Sequence, residues 1–289
     1  MKMNFKLKTL TVAVLMAASV PASAAIQGGV SGNGELLLNV RYYGGDSATT
    51  GDDDISAVFD LGFTMNDMLA SNGQAGFNKS WDMTSGAYGA SWNQLMSFVG
   101  ANAGQVEFNV IALDNTNPNT IGGSRYLTTG NKDVWPSQQN TNVKGFANME
   151  NYIDANNSRG TNATDANGAS VAKPTDAPNT FFGAINGFGQ GDTWLTKTTV
   201  DTTQALGTEQ NFWFLTTSST ASLAPAIKTP FGVDLNHDGS ITGNEFSKFT
   251  LSQSGALTYV SAVPEAETWA MLMAGLGMLG MMVRRRTGV

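Results

Sequence analysis

The feature that most constrains the fold is a series of short runs in which every second residue is hydrophobic. In residues 34–43 the alternating apolar side chains are those of Leu36, Leu38, Val40 and Tyr42. Similar runs occupy residues 55–65, 105–114, 124–130, 192–200 and 210–219, separated by glycine- and asparagine-rich segments. A period of two predicts strands with one buried face. We therefore expect a mainly β chain, an antiparallel β-sandwich-like body with one or two short helices.

The order of these runs predicts local strand pairs. Residues 34–43 and 55–65 flank a polar, acidic turn and are expected to form an antiparallel hairpin. Residues 124–130 are the expected partner of 105–114. Residues 246–262 contain a second hairpin signal around Gln253-Ser254-Gly255.

Helical periodicity is limited to a few segments. Residues 89–103 give the strongest prediction, with Ser91 as N-cap and Trp92 on the apolar face. One helical turn is expected after Asn66 as its cap, and a weaker helix within residues 142–160. The asparagine-, threonine- and proline-rich segment 161–179 is predicted to be a flexible loop.

The first residues have the pattern of a secretory signal peptide. Three lysines within the first eight residues precede an apolar stretch at 10–20, and Ala-Ser-Ala at 22–24 forms a small-x-small cleavage site. We expect residues 1–24 to be removed and residues 25–262 to be one β-rich extracellular domain. The chain contains no cysteine, so this domain has no disulfide framework.

The charge distribution gives no sign of nucleic-acid binding. Six of the 16 basic residues lie in the two ends of the chain, whereas only two of the 23 acidic residues lie in the tail. The body between the ends is therefore strongly acidic, with 21 acidic and 10 basic residues. Nucleic-acid partners require clustered lysine and arginine, which the body lacks.

Residues 234–245, "DLNHDGSITGNE", fit the calcium-loop pattern D-x-[DN]-x-[DN]-G-x5-E at every fixed position. The predicted ligand residues are Asp234, Asn236, Asp238, Ser240, Thr242 and Glu245. Ser240 is expected to contribute its carbonyl, Thr242 to act directly or through water, and Glu245 to close the site with both oxygens. Ca²⁺ takes six to eight oxygen ligands at roughly 2.3–2.6 Å, which this spacing supplies. The predicted cofactor is therefore Ca²⁺.

The flanks of the loop differ from those of a helix-loop-helix calcium sensor. Pro225 and Pro230 precede it, and "FSKFTLS" after it is typical of a strand following about one turn. The loop resembles the EF-hand-like loops of extracellular proteins such as dockerins, which carry two loops where this chain has one. This resemblance implies a weak structural site. His237, at loop position 4, is expected to point into solvent.

The residue types limit the possible chemistry. With one histidine and no cysteine, zinc sites with several histidine ligands are excluded, and a Ser-His-Asp triad would have to use His237. A glycan hydrolase needs only two carboxylates, so this alternative stays open although no spacing marks such a pair. A second alternative is a carbohydrate-binding module for exopolysaccharide with Trp81, Trp135 and Trp194 as its platform. We expect a protein that is not an enzyme.

The tail, residues 263–289, has three parts. It begins with Pro264, Glu265 and Ala266, continues with the apolar segment 268–283, and then carries Arg284, Arg285 and Arg286. At 1.5 Å per residue the apolar segment forms a helix of ~24 Å, a short transmembrane span. The arginines are expected to stop translocation and remain in the cytoplasm.

This three-part tail resembles the PEP-CTERM sorting signal of Gram-negative bacteria, with alanine in place of the second proline of the motif. The resemblance implies cleavage near the motif by an exosortase, a membrane cysteine protease, and export linked to exopolysaccharide and biofilm matrix. We therefore expect a protein held briefly in the inner membrane and then released to the cell surface or the medium. The expected partners are the exosortase and, as a candidate, exopolysaccharide.

Overall fold

A computed structural model describes residues 25–44, 53–262 and 273–278, except for residues 183–201 and the single positions 75, 118, 132, 134, 136, 148, 178. Within these residues the strands are β1 (Glu35–Tyr42), β2 (Ile55–Thr64), β3 (Asn78–Asp82), β4 (Glu107–Asp114), β5 (Arg125–Gly130), β6 (Ala169–Ala172), β7 (Gln204–Ala205), β8 (Gln210–Thr216), β9 (Ile227–Pro230), β10 (Lys248–Leu251) and β11 (Ala256–Val260). The α-helices are α1 (Met65–Ser71), α2 (Gly86–Val99), α3 (Asn140–Ala147) and α4 (Glu150–Asn157). The 3-10 turns are Gly29–Ser31, Gly100–Gln105, Gly160–Ala163 and Gly243–Glu245.

The strands of the described part form one sheet in the order β3-β11-β10-β8-β5-β4-β1-β2-β6, with β7 on β4 and β9 on β8. Every strand pair is antiparallel. The mainly β, antiparallel prediction is confirmed, but the expected two-sheet sandwich is replaced by a single sheet.

This sheet curls into a half-barrel. Trp81 on the edge strand β3 donates its indole N–H to the carbonyl oxygen of Leu61 on β2 at 3.0 Å, although many strands separate β3 from β2 in the sheet. Trp81 also packs edge-on against Phe63, with ring centroids 5.9 Å apart. The curl replaces the second sheet of a sandwich, because its own far strands cover the apolar inner face.

The alternating side chains divide into two cores. The inner core contains alternate residues of most strands together with α1 and α2; examples are Leu38, Phe59, Phe108, Phe212, Phe249, Tyr259 and Trp92. The outer core contains the intervening residues under α3 and α4; examples are Leu37, Val58, Ile111, Trp213, Val143 and Tyr152. Both faces of the central strands are therefore buried, with α1 and α2 packed on one side of the sheet and α3 and α4 on the other.

Most predicted strands are confirmed, and the helix starts are corrected. The β1–β2, β4–β5 and β10–β11 pairs form as expected. Helix α1 is capped by Thr64 and not by Asn66, because Thr64 accepts the Asp67 amide in a capping box. Helix α2 starts after Ser85, so Ser91 lies inside the helix and is buried.

Three segments differ from the sequence prediction. The weak helix at 142–160 is two helices, α3 and α4. The segment 161–179, expected to be a flexible loop, contains a 3-10 turn and the edge strand β6, which pairs with β2. Strand β3 is not predicted by the sequence, because "NKSWD" has little apolar character. The strand predicted at 192–200 lies outside the described residues.

Candidate functional site

The loop 234–245 is held at both ends by backbone hydrogen bonds. The amide of Val233 donates to the carbonyl oxygen of Glu245 at 2.9 Å, and Gly232 forms a bridge with Phe246. A side chain at Gly232 would meet the Glu245 carbonyl oxygen at 2.2 Å, so only glycine allows this approach. The two ends therefore meet as a narrow neck, with the loop closed upon itself.

The neck connects strands and not helices. Strand β9 enters, and the 3-10 turn Gly243–Glu245 leads into β10. This agrees with the expectation that no entering helix is present and that a strand follows about one turn. The loop is thus a connection within the sheet.

Side-chain oxygens inside the loop accept bonds from its own backbone. Asp234 accepts the amides of Asp238 at 3.2 Å and Gly239 at 3.0 Å, one on each carboxylate oxygen. Asn236 accepts the Asp238 amide at 2.9 Å, and Asp238 accepts the Ser240 amide at 2.8 Å. Because each carboxylate oxygen has two lone pairs, one remains on each oxygen of Asp234.

Glu245 is placed differently, since its carboxylate is buried at 3% exposure. One oxygen accepts the amides of Leu235 at 3.0 Å and Asn236 at 3.3 Å. The other accepts the amide of Thr242 at 3.0 Å and its hydroxyl at 3.3 Å, which completes a capping box. Four donors use the four lone-pair positions of the carboxylate. A cation at the loop centre would therefore compete with these donors for Glu245.

Three backbone positions in the loop have positive φ. Gly239 at 85° makes the predicted sharp turn, Gly243 has a φ of 54°, and His237 has a φ of 60°. His237 is exposed, as expected. Asn, Asp and His are the non-glycine residues that tolerate this conformation best. Across the described residues, no group of three or more His, Cys, Asp or Glu side chains is placed to hold a metal ion.

A second acidic site, which the sequence did not predict, joins β1 and β2. Glu35 and Asp60 share a side-chain hydrogen bond, and the Gly62 amide donates to Asp60 at 2.9 Å. Burial and the nearby Glu35 charge raise the pKa of Asp60 to about 7, and burial also raises the pKa of Glu35. The available signal was a single acid in the apolar run "ISAVFDLGF".

The tryptophans expected to form a sugar platform are not grouped on the surface. Trp135 is 1% exposed and packs against Trp213, with ring centroids 5.7 Å apart. Trp81 is half-buried and closes the gap between β3 and β2. Trp194 lies outside the described residues.

The body leads directly into the tail. Ser261, after β11, donates its hydroxyl to the Gln74 carbonyl oxygen at 2.9 Å, and its amide donates to the Asn78 side chain at 3.1 Å. Residues 273–278 are helical and mostly exposed. None of the helices in the described residues is long and apolar enough to cross a membrane. The span predicted at 268–283, most of which lies outside those residues, is therefore not supported.

The PEP-CTERM protein-sorting motif matches residues 262–286 of the chain. This motif implies an exported protein that is anchored in the membrane before an exosortase processes it. Comparison with the curated proteins and with the solved structures gave no significant match. The signal peptide at 1–24 and the sorting residues 264–266 and 284–286 lie outside the described residues.

Proposed function

We propose that the chain is an exported, surface-sorted or matrix protein without enzymatic activity, whose folded body is delivered by the sorting tail. The observation that carries the proposal is the sorting motif at 262–286, which begins where the folded body ends. The segment 268–283 provides the membrane anchor and Arg284 to Arg286 remain cytoplasmic. The exosortase cuts near Pro264-Glu265-Ala266 and releases the body to the cell surface or the medium.

The body also carries a weak structural calcium site in the loop 234–245. Asp234, Asn236 and Asp238 support this part of the proposal, since their side-chain oxygens are held within one closed loop. Glu245 completes the site only when it gives up some of its four donors. That exchange favours the weak affinities of extracellular modules, about 10⁻⁴ to 10⁻³ M.

The two alternatives have less support. A sugar platform would need exposed aromatic faces, but Trp135 is buried and the Trp81 side chain joins β3 to β2 by its hydrogen bond to Leu61. A glycan hydrolase needs two carboxyl groups at least ~5 Å apart in a cleft. The carboxyl groups of Glu35 and Asp60 are hydrogen-bonded to each other, and Asp60 is 1% exposed.

Fractionation of cells that carry or lack the exosortase tests the sorting proposal. With the enzyme, the epitope-tagged body is expected in the outer fractions or the medium, shortened by the tail. Without it, the full-length chain is expected in the inner membrane. Replacement of Arg284 to Arg286 by alanine provides a variant that lacks the arginines proposed to stop translocation and has an unchanged folded body. Full-length protein in the inner membrane of both strains would contradict the proposal.

A further inference from the structure

The body and the sorting motif are separated by almost no chain. Ser261 is 1% exposed and Ala262 is 5% exposed, and both of the Ser261 hydrogen bonds hold it against the segment around Gln74 and Asn78. Only Val263 lies between Ala262 and Pro264. At no more than ~3.6 Å per residue, the motif at 264–266 begins within ~7 Å of Ala262 and ends within ~14 Å.

The body cannot lengthen this connection by releasing its last strand at low cost. Strand β11 lies between β10 and β3 and is hydrogen-bonded to both. Its side chains Leu257 and Tyr259 are fully buried in the inner core. Peeling β11 away would break both ladders and expose two large apolar side chains, so the fold keeps the motif beside the body.

A protease that surrounds a bond so close to a folded surface must touch that surface. Even a 100-residue domain has a radius of gyration of about 13 Å, comparable with the whole reach of the motif. The surface it meets is the open end of the β10–β11 hairpin, where Lys248 pairs with Val260. Contact between enzyme and body is therefore a consequence of geometry.

This end of the hairpin carries a groove of about 260 Å³. Its lining includes Asn244, Lys248, Thr250, Val260 and Ala262, together with Glu209. Val260 is 48% exposed, which is unusual for a large apolar side chain in this body. Lys248 is paired with Glu209 at 3.0 Å, so the groove also carries one matched pair of charges.

We propose that this groove is a docking surface for the membrane-bound sorting protease, so that the folded body is part of the substrate. The proposal rests on the proposed function, in which that protease processes the tail. Val260 supplies an exposed apolar contact in the groove, and the Lys248–Glu209 pair and Asn244 supply polar contacts. The occupant is the extracytoplasmic surface of the enzyme, since no other protein has to approach the motif so closely.

The rate of tail removal, followed by pulse-chase labelling in cells with the exosortase, tests this proposal. The test variant is Val260→Glu. The matched control is Ile227→Glu on β9, a side chain of similar exposure, 50%, that pairs with Thr216 at the far end of β8. We expect Val260→Glu to slow processing at least about fivefold, as for a significant interface residue, and Ile227→Glu to leave it unchanged.

Both substitutions are then repeated in a chain with a 20-residue Gly/Ser spacer after Ala262, which adds a mean separation of ~25 Å. The spacer removes the forced contact, so Val260→Glu and the parent are expected to be processed at the same rate. Thermal unfolding of the purified body verifies that each variant is folded. Slowing by Val260→Glu of equal size with and without the spacer would overturn the proposal.

The remaining outcomes distinguish the docking surface from the sorting function. Processing of every chain at one rate overturns the docking surface and leaves the sorting function standing. Processing of no chain, the parent included, contradicts the sorting function and the docking surface together. Equal slowing by Ile227→Glu would assign the effect to added negative charge near the membrane and overturn the docking surface alone.

Discussion

The two acidic sites of the body place a buried carboxyl group in different surroundings. Asp60 lies in a strand, where its backbone groups are used by the sheet and few donors are left for its carboxyl group. Glu245 is as deeply buried but lies at the neck of a loop, where amides turn inward and four donors surround it. The strand site favours the protonated acid, with a raised pKa, whereas the loop site surrounds its carboxyl group with four donors.

Burial disfavours the charged form of an acid, whereas hydrogen-bond donors to the carboxylate favour it. At Asp60, burial, the Glu35 charge and the hydrogen bond with Glu35 all raise the pKa, and only the Gly62 amide lowers it. Four predictions test this difference, and the loop gives the largest expected effect.

Replacement of Glu245 should be strongly destabilising. Glu245→Ala leaves the partly buried amides of Leu235 and Thr242 without their acceptor, and an unsatisfied donor shielded from water costs about 1–3 kcal/mol. We expect a loss of about 3 kcal/mol in the free energy of unfolding, measured by urea denaturation without calcium. A loss below about 1 kcal/mol would show that water replaces the carboxylate and that the loop does not depend on it.

The stability gained on calcium binding gives a second measurement on the same loop. At 10 mM Ca²⁺ and the proposed affinity, the parent should gain about 1.4–2.7 kcal/mol, and a chelator should remove this gain. Asp234→Ala should abolish the response, while His237→Asn should retain it because its side chain is outside the ligand set and Asn tolerates positive φ. A parent chain whose melting temperature changes with neither calcium nor chelator would refute the calcium site.

Asp60→Asn should stabilise the body at high pH. The folded pKa of Asp60, about 7, exceeds the ordinary value of 3.8, so the folded state holds a proton that the unfolded state releases between these values. The contribution of Asp60 is therefore fully present below about pH 4 and is lost as the pH rises to about 7. Asparagine mimics the protonated acid, since it accepts from Gly62 and donates to Glu35.

We expect Asp60→Asn to be more stable than the parent by about 2 kcal/mol at pH 8 and nearly equal to it at pH 4. Urea unfolding across this range measures the difference. Asp154→Asn on the exposed side of α4 controls for the loss of one negative charge. A variant that is less stable than the parent at pH 8 would mean that Asp60 is ionised and satisfied in the fold.

The sequence predicted the loop better than the strand acid for a physical reason. A calcium-type loop is local, so its fixed residues, its glycine and its closing Glu245 are visible within residues 234–245. The Glu35–Asp60 pair depends on the register of β1 against β2 and on a bulge near Glu35, which alternation cannot specify. The same limit explains the single curled sheet: alternation predicts β1, β4 and β8, but the contact of Trp81 with Leu61 is set by the cumulative curl.

The prediction with the smallest effect separates the contribution of the hydrogen-bond donors from that of the burial of the carboxyl group. Asp67 closes a capping box with Thr64, as Glu245 does with Thr242, but it lies at the surface at the start of α1. The hydroxyl and the amide of Thr64 lower the pKa of Asp67, so its contribution is present above about pH 4 and is lost as the pH falls further. Asp67→Ala should therefore cost only about 0.5–1 kcal/mol at pH 7 and less as the pH falls below about 4, measured by urea unfolding. Because the box is the same and the burial differs, a cost as large as that of Glu245→Ala would mean that the donors alone stabilise the neck of the loop.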